Sequence, residues 1–195
     1  MPEHYRPIVE VGYITGWRLK SELGTRQKHH VDLNAGWLRL EPGESKNGEG
    51  RNFPLTPRLR AILERQLEET RAFEIATGTI VPWLFHRAGK QIKSFRKVWA
   101  RACTDAGVPG KILHDFRRSA IRNLERAGIS RSAAMAMVGH KTQSIYSRYA
   151  IADERTLKEA ADKLAALDAV ASTSPASAKV VDLSRKSARK SENVA

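Results

Sequence analysis

Two short stretches with strand composition stand among segments with helical spacing, and this contrast limits the possible folds most. The runs WLRLEP (37–42) and RNFPLT (51–56) flank GESKNGEG, a segment rich in turn-forming Gly and Asn. We therefore predict one β-hairpin, with Lys46 in its connection or at its rim. One small antiparallel sheet among helices makes the expected fold class α+β and mainly α-helical.

Helix-boundary signals separate the remaining apolar patterns into short helices. Thr56 and Pro57 form a good N-cap and N1 pair, and Ser94 is expected to cap a later helix. Residues 114–127 are predicted to be helical, with Gly128 just past the end. Two short helices are predicted to meet near Thr15 and Gly16, with Arg18 at the start of the second. Further helices are predicted to begin at Ser130, near Thr142 and at Asp153.

A change of composition near residue 171 separates a folded part from a tail. The segment that starts at Asp153 carries Leu157, Ala161, Leu164 and Leu167 at the spacing of an amphipathic helix. Residues 171–195 are rich in Ser, Ala, Lys and Arg, and their few apolar side chains cannot offset the entropy of ordering. We predict one domain over residues 1–170 and a basic, disordered tail over residues 171–195, within the 195 residues of the chain.

The charge balance favours an acidic polymer as the partner. The chain has 34 Lys and Arg against 21 Asp and Glu, a net charge of +13 and a pI near 10.2. A pI above about 9 is typical of proteins that bind nucleic acid. The alternative is a cationic surface that only aids solubility. Charge alone therefore indicates DNA or RNA without distinguishing them.

Several classes of protein and of site are not expected. The single cysteine, Cys103, permits neither an internal disulfide nor a Cys-rich zinc site, which favours the cytoplasm. The chain lacks an apolar run of about 18 residues, and its first ten residues lack the apolar core of a signal peptide. His29 and His30 are adjacent, so their side chains are expected to point apart on the surface instead of binding a metal. We expect no metal, cofactor, membrane or small-molecule substrate.

Six residues follow an order that is specific as a set, although each motif alone is common. They are Arg18 in TGWR, Lys46 in SKNGEGR, His114 and Arg117 in HDFR, His140 in VGH, and Tyr149 in SIYSRY, nine residues after His140. From about Pro7 to Ile151, this pattern resembles the catalytic domain of the tyrosine recombinases, the phage-type integrases. The resemblance implies a tyrosine-recombinase-like catalytic domain with a small antiparallel β-sheet.

The residue types suit cleavage of a phosphodiester without a metal. Such cleavage needs a nucleophile, a proton acceptor, an acid for the leaving oxygen and fixed positive charge. The resemblance implies that Tyr149 attacks phosphorus to form a 3′-phosphotyrosyl link and that Lys46 protonates the departing 5′ oxygen. Tyr146 is the competing nucleophile, but it follows His140 by only six residues, and a partial core role suits it better.

The remaining four residues are expected to surround the scissile phosphate. Arg18 and Arg117 offer planar guanidinium groups that suit bidentate contact with phosphate. The resemblance implies that His114 accepts a proton or binds the phosphate, and that His140 hydrogen-bonds a non-bridging oxygen. His114 and Arg117 are three residues apart and share one helical face, so both can reach the same phosphate.

Two features depart from the family pattern. Thr25 and Gln27 stand where a bulky aliphatic residue and a Trp are usual, which puts polar groups where packing is expected. The chain also begins almost at the Arg18 motif, so the N-terminal DNA-clamping domain that is usual in the family is expected to be absent.

The resemblance implies a site-specific DNA recombinase that cleaves and rejoins strands of double-stranded DNA as a homo-tetramer. Type IB topoisomerase chemistry is the nearest alternative among enzymes, because it uses a similar set of residues. The alternative from another class is a catalytically inactive, truncated DNA-binding remnant of an integrase.

Overall fold

The structure is a computed structural model that describes residues 1–45, 48–148 and 154–173. The chain forms two compact units, residues 1–151 and residues 152–195. The expected fold class is confirmed, because the described residues are mainly helical and include small antiparallel sheets. The predicted boundary between residues 170 and 171 stays a prediction.

Six α-helices are described in the first unit. They are α1 (Arg6–Thr15), α2 (Pro57–Thr77), α3 (Arg96–Asp105), α4 (Asp115–Arg126), α5 (Arg131–Val138) and α6 (Gln143–Ser147). Short 3-10 turns cover Glu3–Tyr5 and Lys28–His30, and a π-helical turn covers Leu19–Leu23. The helix predicted over residues 114–127 is thus observed as α4, one residue shorter at each end.

Side-chain caps define several helix starts. The hydroxyls of Thr56, Ser130 and Thr142 each accept a hydrogen bond from the backbone N–H three residues later, as the sequence predicts. Ser94 was the wrong cap, because α3 begins one residue later, with Phe95 at its N-cap and no side-chain cap. Phe95 is buried and packs against Tyr5, so tertiary packing decides this helix start.

The glycine between the first two helical segments permits a close approach of α4. As predicted, α1 ends at Thr15 and Gly16 follows with φ of 68°. A Cβ on Gly16 would lie 2.9 Å from the Cβ of Ala120, within α4. Gly16 therefore meets two requirements that a larger residue would not, a left-handed backbone and a short distance between segments.

The second helical segment is a π turn, which the sequence did not predict. Arg18 is its N-cap, and the turn covers Leu19–Leu23. The N–H of Leu23 donates to the Arg18 carbonyl, five residues back, over 3.0 Å, and the N–H of Gly24 donates to the Leu19 carbonyl over 2.7 Å. Such single π turns are rare and often occur at functional sites.

The predicted hairpin is confirmed as part of a three-stranded antiparallel sheet. Its strands are β1 (Val31–Asp32), β2 (Trp37–Leu40) and β3 (Arg51–Pro54), in the spatial order β1-β2-β3. Residues 41–50, here called the hairpin connection, join β2 to β3. A second hairpin, β4 (His86–Arg87) with β5 (Lys90–Gln91), was not predicted from the sequence.

The main core packs α1 and α2 against the sheet. Its fully buried members include Ile8, Val11, Leu23, Leu38, Leu59 and Leu63. Trp17 is buried, whereas Trp99 is only partly buried. A second cluster of Ile121, Ala134, Val138 and Tyr146 joins α4, α5 and α6. The expected core role of Tyr146 is confirmed by its full burial.

Polar residues near the π turn are buried with partners. The surface assignment of His30 was wrong: the residue is 3% exposed, and its Nδ1 accepts a hydrogen bond from the Gln27 N–H over 2.9 Å. The Gln27 side chain accepts in return from the His30 N–H. The Thr25 hydroxyl donates to backbone carbonyls one turn earlier. Thr25 and Gln27 are half-buried, and their polar groups have hydrogen-bond partners.

The second unit contains α7 (Glu154–Thr173), the amphipathic helix that the sequence predicted. Leu157, Leu164 and Leu167 are exposed on it. Asp153, its expected cap, lies outside the described residues. Residues 171–173 continue α7 and residues 174–195 are not described, so the disordered tail stays a prediction. Among the described residues, no helix is both long enough and apolar enough to cross a membrane.

Candidate active site

Four of the six predicted site residues converge. Arg18, His114 and Arg117 line one cavity of about 290 Å³, here called the arginine cavity, and His140 contacts Arg117. The π turn supplies Arg18, and the start of α4 supplies His114 and Arg117. His140 follows the end of α5. The other two predicted residues, Lys46 and Tyr149, lie outside the described residues.

Arg117 is a buried cation held by hydrogen bonds from every nitrogen of its guanidinium. Its Nε–H donates to His140 Nε2 over 2.9 Å, and its Nη1 donates to the Gly16 carbonyl over 3.1 Å. Its Nη2 donates to the carbonyls of Val138 and Gly139. The side chain thereby joins α4 to the end of α1 and the end of α5, which fixes positive charge beside the arginine cavity.

His140 is a neutral imidazole at physiological pH. Burial, followed by the positive charges of Arg117 and Arg18, lowers the pKa of His140 to about 4. The hydrogen bond with Arg117 requires the same state, because a guanidinium can only donate and His140 Nε2 must therefore carry no proton to act as the acceptor. In the neutral ring the proton accordingly resides on Nδ1.

His114 shares the positive surroundings of His140. Desolvation, followed by the charges of Arg117 and Arg18, lowers the pKa of His114 below its usual range. Asp115 opposes this shift but does not overcome it. A neutral imidazole has a lone pair, so His114 can accept a proton at the mouth of the arginine cavity.

Arg18 is the most exposed of the clustered arginines, with one-third of its side chain open to solvent. Its Nη1 lies 2.5 Å from Glu22 Oε1, and its backbone N–H donates to Glu22 Oε2 over 2.7 Å. The π turn makes both contacts possible by placing the carboxylate beneath its own N-cap. Arg18 can thus present its remaining donors to the cavity while one side is held.

Glu22 belongs to the candidate site, although the sequence reasoning missed it. Its carboxylate is fully buried, with Oε2 2.5 Å from Arg51 Nη2 and 4.0 Å from Arg117 Nη1. Burial alone would raise the pKa of Glu22, but Arg51 and Arg18 outweigh it and the pKa is lowered. Glu22 therefore stays ionised and is the shared counter-ion of three arginines. The available signal was an acid directly before Leu23 in the segment LKSEL.

Arg51 is the second missed residue, and it stands at the start of β3. Its side chain is nearly buried, and its guanidinium carbon lies 5.1 Å from the centroid of the Trp17 ring. A Cβ on Gly139 would overlap the Arg51 guanidinium, and Gly139 has φ of 74°. Gly139 is therefore needed for the close approach of β3 to the end of α5.

Tyr146 is poorly suited to act as the nucleophile. Its ring is fully buried, with its centroid 5.9 Å from that of His140. Burial and the nearby Glu125 raise the pKa of Tyr146 to about 12. Burial keeps this phenol away from solvent, and the raised pKa opposes its ionisation to a nucleophilic phenolate. Among the described residues, no cluster of His, Cys, Asp or Glu could hold a metal ion.

Many solved structures share the fold, among them the following three. The Tn1549 transposon integrase in complex with a circular intermediate DNA is 17% identical, with a TM-score of 0.65, covering 83% of this chain and 58% of that one. XerA recombinase is 17% identical, with a TM-score of 0.61 and coverages of 84% and 64%. A lambda integrase dimer bound to a COC′ core site is 19% identical, with a TM-score of 0.58 and coverages of 79% and 54%. The chain thus spans less than two-thirds of each.

Comparisons of the sequence identify a family but no individual curated relative. A comparison with curated protein sequences finds no match to this chain. The model of the phage integrase family matches residues 1–155, which is most of the chain. The expected resemblance is confirmed, and the protein belongs to the phage integrase family.

Proposed function

We propose that this protein is a site-specific DNA recombinase that cleaves and rejoins DNA strands through a 3′-phosphotyrosyl intermediate. The observation that carries the proposal is the arginine cavity, which Arg18, His114 and Arg117 line together. His140 accepts a hydrogen bond from Arg117. These residues come from three separate parts of the chain. Their convergence around one opening fits a phosphate better than it fits three unrelated structural roles.

Fixed positive charge is the main contribution of the arginines. Arg117 cannot rotate away, because its guanidinium is tied to Gly16, Val138 and His140. Arg18 is held on one side by Glu22 and is open on the other. Charge that is oriented before the substrate arrives stabilises the developing charge on phosphate oxygens without reorganisation during the reaction.

In the reaction that we propose, three side chains take part in the bond changes and proton transfers of a single step. The Tyr149 oxygen forms a bond to phosphorus as its proton passes to the neutral His114. The bond from phosphorus to the 5′ oxygen breaks, and the Lys46 ammonium protonates that oxygen. His140 orients Arg117 and can hydrogen-bond a non-bridging oxygen. The covalent link conserves the bond energy, so religation needs no ATP.

Double-stranded DNA is the proposed partner, and we propose that the protein acts on it in the cytoplasm as a homo-tetramer. The net charge of +13 supports binding to the phosphate backbone. The exposed leucines of α7 support assembly, because an apolar stripe is stabilised when a second surface covers it. Docking of α7 on a neighbouring copy and packing on its own copy are the two possibilities.

A suicide-substrate assay tests the proposal. Labelled, nicked duplex DNA that carries the target sequence should become covalently attached to the wild-type protein. Tyr149→Phe removes one oxygen and almost no volume, so folding and DNA affinity should survive while the adduct disappears. Tyr146→Phe is the matched control and should leave the adduct in place.

Three outcomes would change the assignment. An adduct that persists in Tyr149→Phe and vanishes in Tyr146→Phe would move the nucleophile to Tyr146. Relaxation of supercoiled DNA without sequence preference would indicate type IB topoisomerase chemistry. A wild-type protein that binds DNA but never forms an adduct would be a non-catalytic DNA-binding remnant.

A further inference from the structure

One segment of the surface combines many cations with no acid. Residues 75–104 contain no Asp or Glu. They carry six exposed Lys and Arg side chains, here called the basic strip: Arg87, Lys90, Lys93, Arg96, Lys97 and Arg101. Among the residues that the structure describes, none of the six forms an ion pair with a carboxylate. The cations of α2 differ, because Arg58, Arg60 and Arg65 each pair with a Glu.

The arrangement of charges within the basic strip is electrostatically unfavourable. Arg87 and Lys90 stand directly opposite each other in the antiparallel pair of β4 and β5, where like charges destabilise the pairing. Lys97 and Arg101 are four residues apart in α3, which places a second pair of like charges on one helical face. Arg96 and Lys97 also lie in the first turn of α3, beside the positive end of the helix dipole. These placements cost stability unless an external anion neutralises the charges.

The β4–β5 hairpin is held in place despite a strained turn. Ala88 has φ of 47°, a left-handed backbone that a residue with a Cβ rarely adopts. His86 Nδ1 accepts a hydrogen bond from the Gly89 N–H over 3.1 Å, and His86 Nε2 lies 3.1 Å from the hydroxyl of the buried Thr70 in α2. The Thr70 hydroxyl donates to the Gln66 carbonyl, so it accepts from His86 Nε2. The hairpin therefore presents its two cations from a fixed position on α2.

The N-terminal 3-10 turn joins the hairpin to α3. The Tyr5 hydroxyl donates to the Ser94 carbonyl over 3.3 Å, and the Tyr5 ring packs against Phe95 at the start of α3. Burial, followed by the charge of the nearby Arg87, lowers the pKa of the adjacent His4. The 3-10 turn thus borders both the hairpin and the start of α3, so the two parts of the basic strip are neighbours on one surface.

The helix α3 is also fixed to the segment that supplies the arginine cavity. The Trp99 indole N–H donates to the Lys111 carbonyl over 2.8 Å, and the Trp99 ring packs edge-on against Phe116, with centroids 4.9 Å apart. Phe116 directly precedes Arg117 in α4. The basic strip therefore belongs to the same packed unit as the arginine cavity, where phosphates that flank a bound one can reach it.

The composition of the basic strip fits a phosphate backbone better than an acidic protein. No large apolar side chain of residues 86–101, all of which the structure describes, is exposed. Protein interfaces centre on apolar and aromatic anchors, whereas interfaces with DNA are polar and positively charged. We propose that the basic strip binds the sugar-phosphate backbone of duplex DNA outside the scissile phosphate. This inference rests on the proposed function only for the presence of a duplex, because backbone contacts need neither a specific sequence nor cleavage.

Salt titration of duplex binding tests the proposal. The probe is a fluorescently labelled, intact duplex of arbitrary sequence, and binding is followed by anisotropy. Two double variants, Arg87→Gln with Lys90→Gln and Lys97→Gln with Arg101→Gln, each remove two backbone contacts. Each contact contributes about 0.9 to the log-log slope of affinity against salt, so either double variant should lower the slope by about 1 to 2.

The matched control removes the same amount of charge from a different surface. Arg58→Gln with Arg65→Gln neutralises two exposed cations that already pair with Glu10 and Glu69. This control should leave the slope unchanged, because its effect is limited to the net charge of the protein. A slope that falls equally in the control would show that only net charge matters, and the basic strip would have no special role.

Thermal denaturation separates binding from a structural role. Lys90→Gln removes the like charge that faces Arg87 across the hairpin. Its melting temperature should therefore equal or exceed that of the wild type, while its duplex binding weakens. A lower melting temperature together with normal duplex binding would show that Lys90 supports only the fold, which contradicts the proposal.

The outcomes also separate this inference from the proposed function. An unchanged slope in either folded double variant would overturn the role of the basic strip, even if the wild type cleaves nicked DNA. Variants that keep their affinity for the duplex and lose affinity for polyglutamate would assign the strip to an acidic protein, and the proposal would again be wrong. A wild type whose duplex binding depends on the strip but that forms no covalent adduct would support the strip and refute the proposed strand cleavage.

Discussion

Replacing Glu22 by Gln removes the charge that three arginines share while it keeps the shape of the side chain. The carboxylate is fully buried and lies 2.5 Å from both Arg18 Nη1 and Arg51 Nη2, and 4.0 Å from Arg117 Nη1. Arg51 and Arg117 are themselves nearly buried, so the substitution leaves their charges without this counter-ion in a poorly solvated place. Breaking a buried ion pair in this way costs about 3–5 kcal/mol of unfolding free energy.

The effect of Glu22→Gln should depend on pH in a defined direction. The pKa of Glu22 in the folded protein is lower than its usual 4.5, so the stability it contributes is complete above that pH. As the pH falls through the lowered pKa of the folded state, the wild-type carboxylate is protonated and this contribution is lost. The difference in unfolding free energy between wild type and variant should therefore be largest near pH 7 and shrink in strong acid.

Chemical and thermal denaturation followed by circular dichroism measure the difference. A loss of about 3–5 kcal/mol corresponds to a fall in melting temperature of about 6 to 20 °C for a chain of this size. The control is Glu64→Gln, which breaks an exposed i,i+4 pair with Arg60 and should cost less than about 1 kcal/mol. If Glu22→Gln costs no more than Glu64→Gln, or if the difference does not change with pH, the reasoning about the buried carboxylate is wrong.

Four further results are expected. Arg117→Lys should retain charge but lose the planar fork, slowing adduct formation by at least about ten-fold, and near-normal cleavage would argue against a phosphate role. His140→Gln should weaken the loss of stability on acidification from pH 6.5 to about 4, because the pKa of His140 falls to about 4 on folding, and urea titrations across that range measure it. Duplex binding should weaken steeply with salt, by about 0.9 in log-log slope per neutralised phosphate, whereas a flat response would exclude backbone contact. Truncation after Ala152 should abolish higher-order assembly on DNA with folding retained if α7 docks on a neighbouring copy, whereas a lower melting temperature of the monomer would indicate packing on its own copy.

The convergence of four predicted residues was accessible from the sequence for two reasons. The order of motifs indicated the family. The family pattern then predicted that Arg18 and His140 lie near His114 and Arg117, although these residues are distant in the chain. Local spacing then placed His114 and Arg117 on one face at the start of α4. Both arguments use information that the linear sequence carries, so they needed no knowledge of packing. The catalytic roles of these residues stay predictions.

Glu22, Arg51 and His30 were not accessible in the same way. Each is a polar residue whose burial depends on partners from other segments, such as Arg51 for Glu22 and Glu44 for His30. The rule that adjacent histidines point apart says nothing about which one is buried. The π turn is also hidden, because a bond spanning five residues instead of four leaves no mark on the apolar pattern of so short a segment.

The sharing of Glu22 by three arginines leaves a surplus of positive charge around the arginine cavity. Arg18, Arg51 and Arg117 oppose one carboxylate, and the lowered pKa values of His114 and His140 keep both rings neutral. Among the described residues, this group therefore has a net charge of about two. A phosphodiester has one negative charge, and the pentacoordinate transition state gathers about two on its oxygens. In the strand cleavage that we propose, this surplus would match the transition state more closely than intact DNA, so the attraction would grow as the bond to the nucleophile forms.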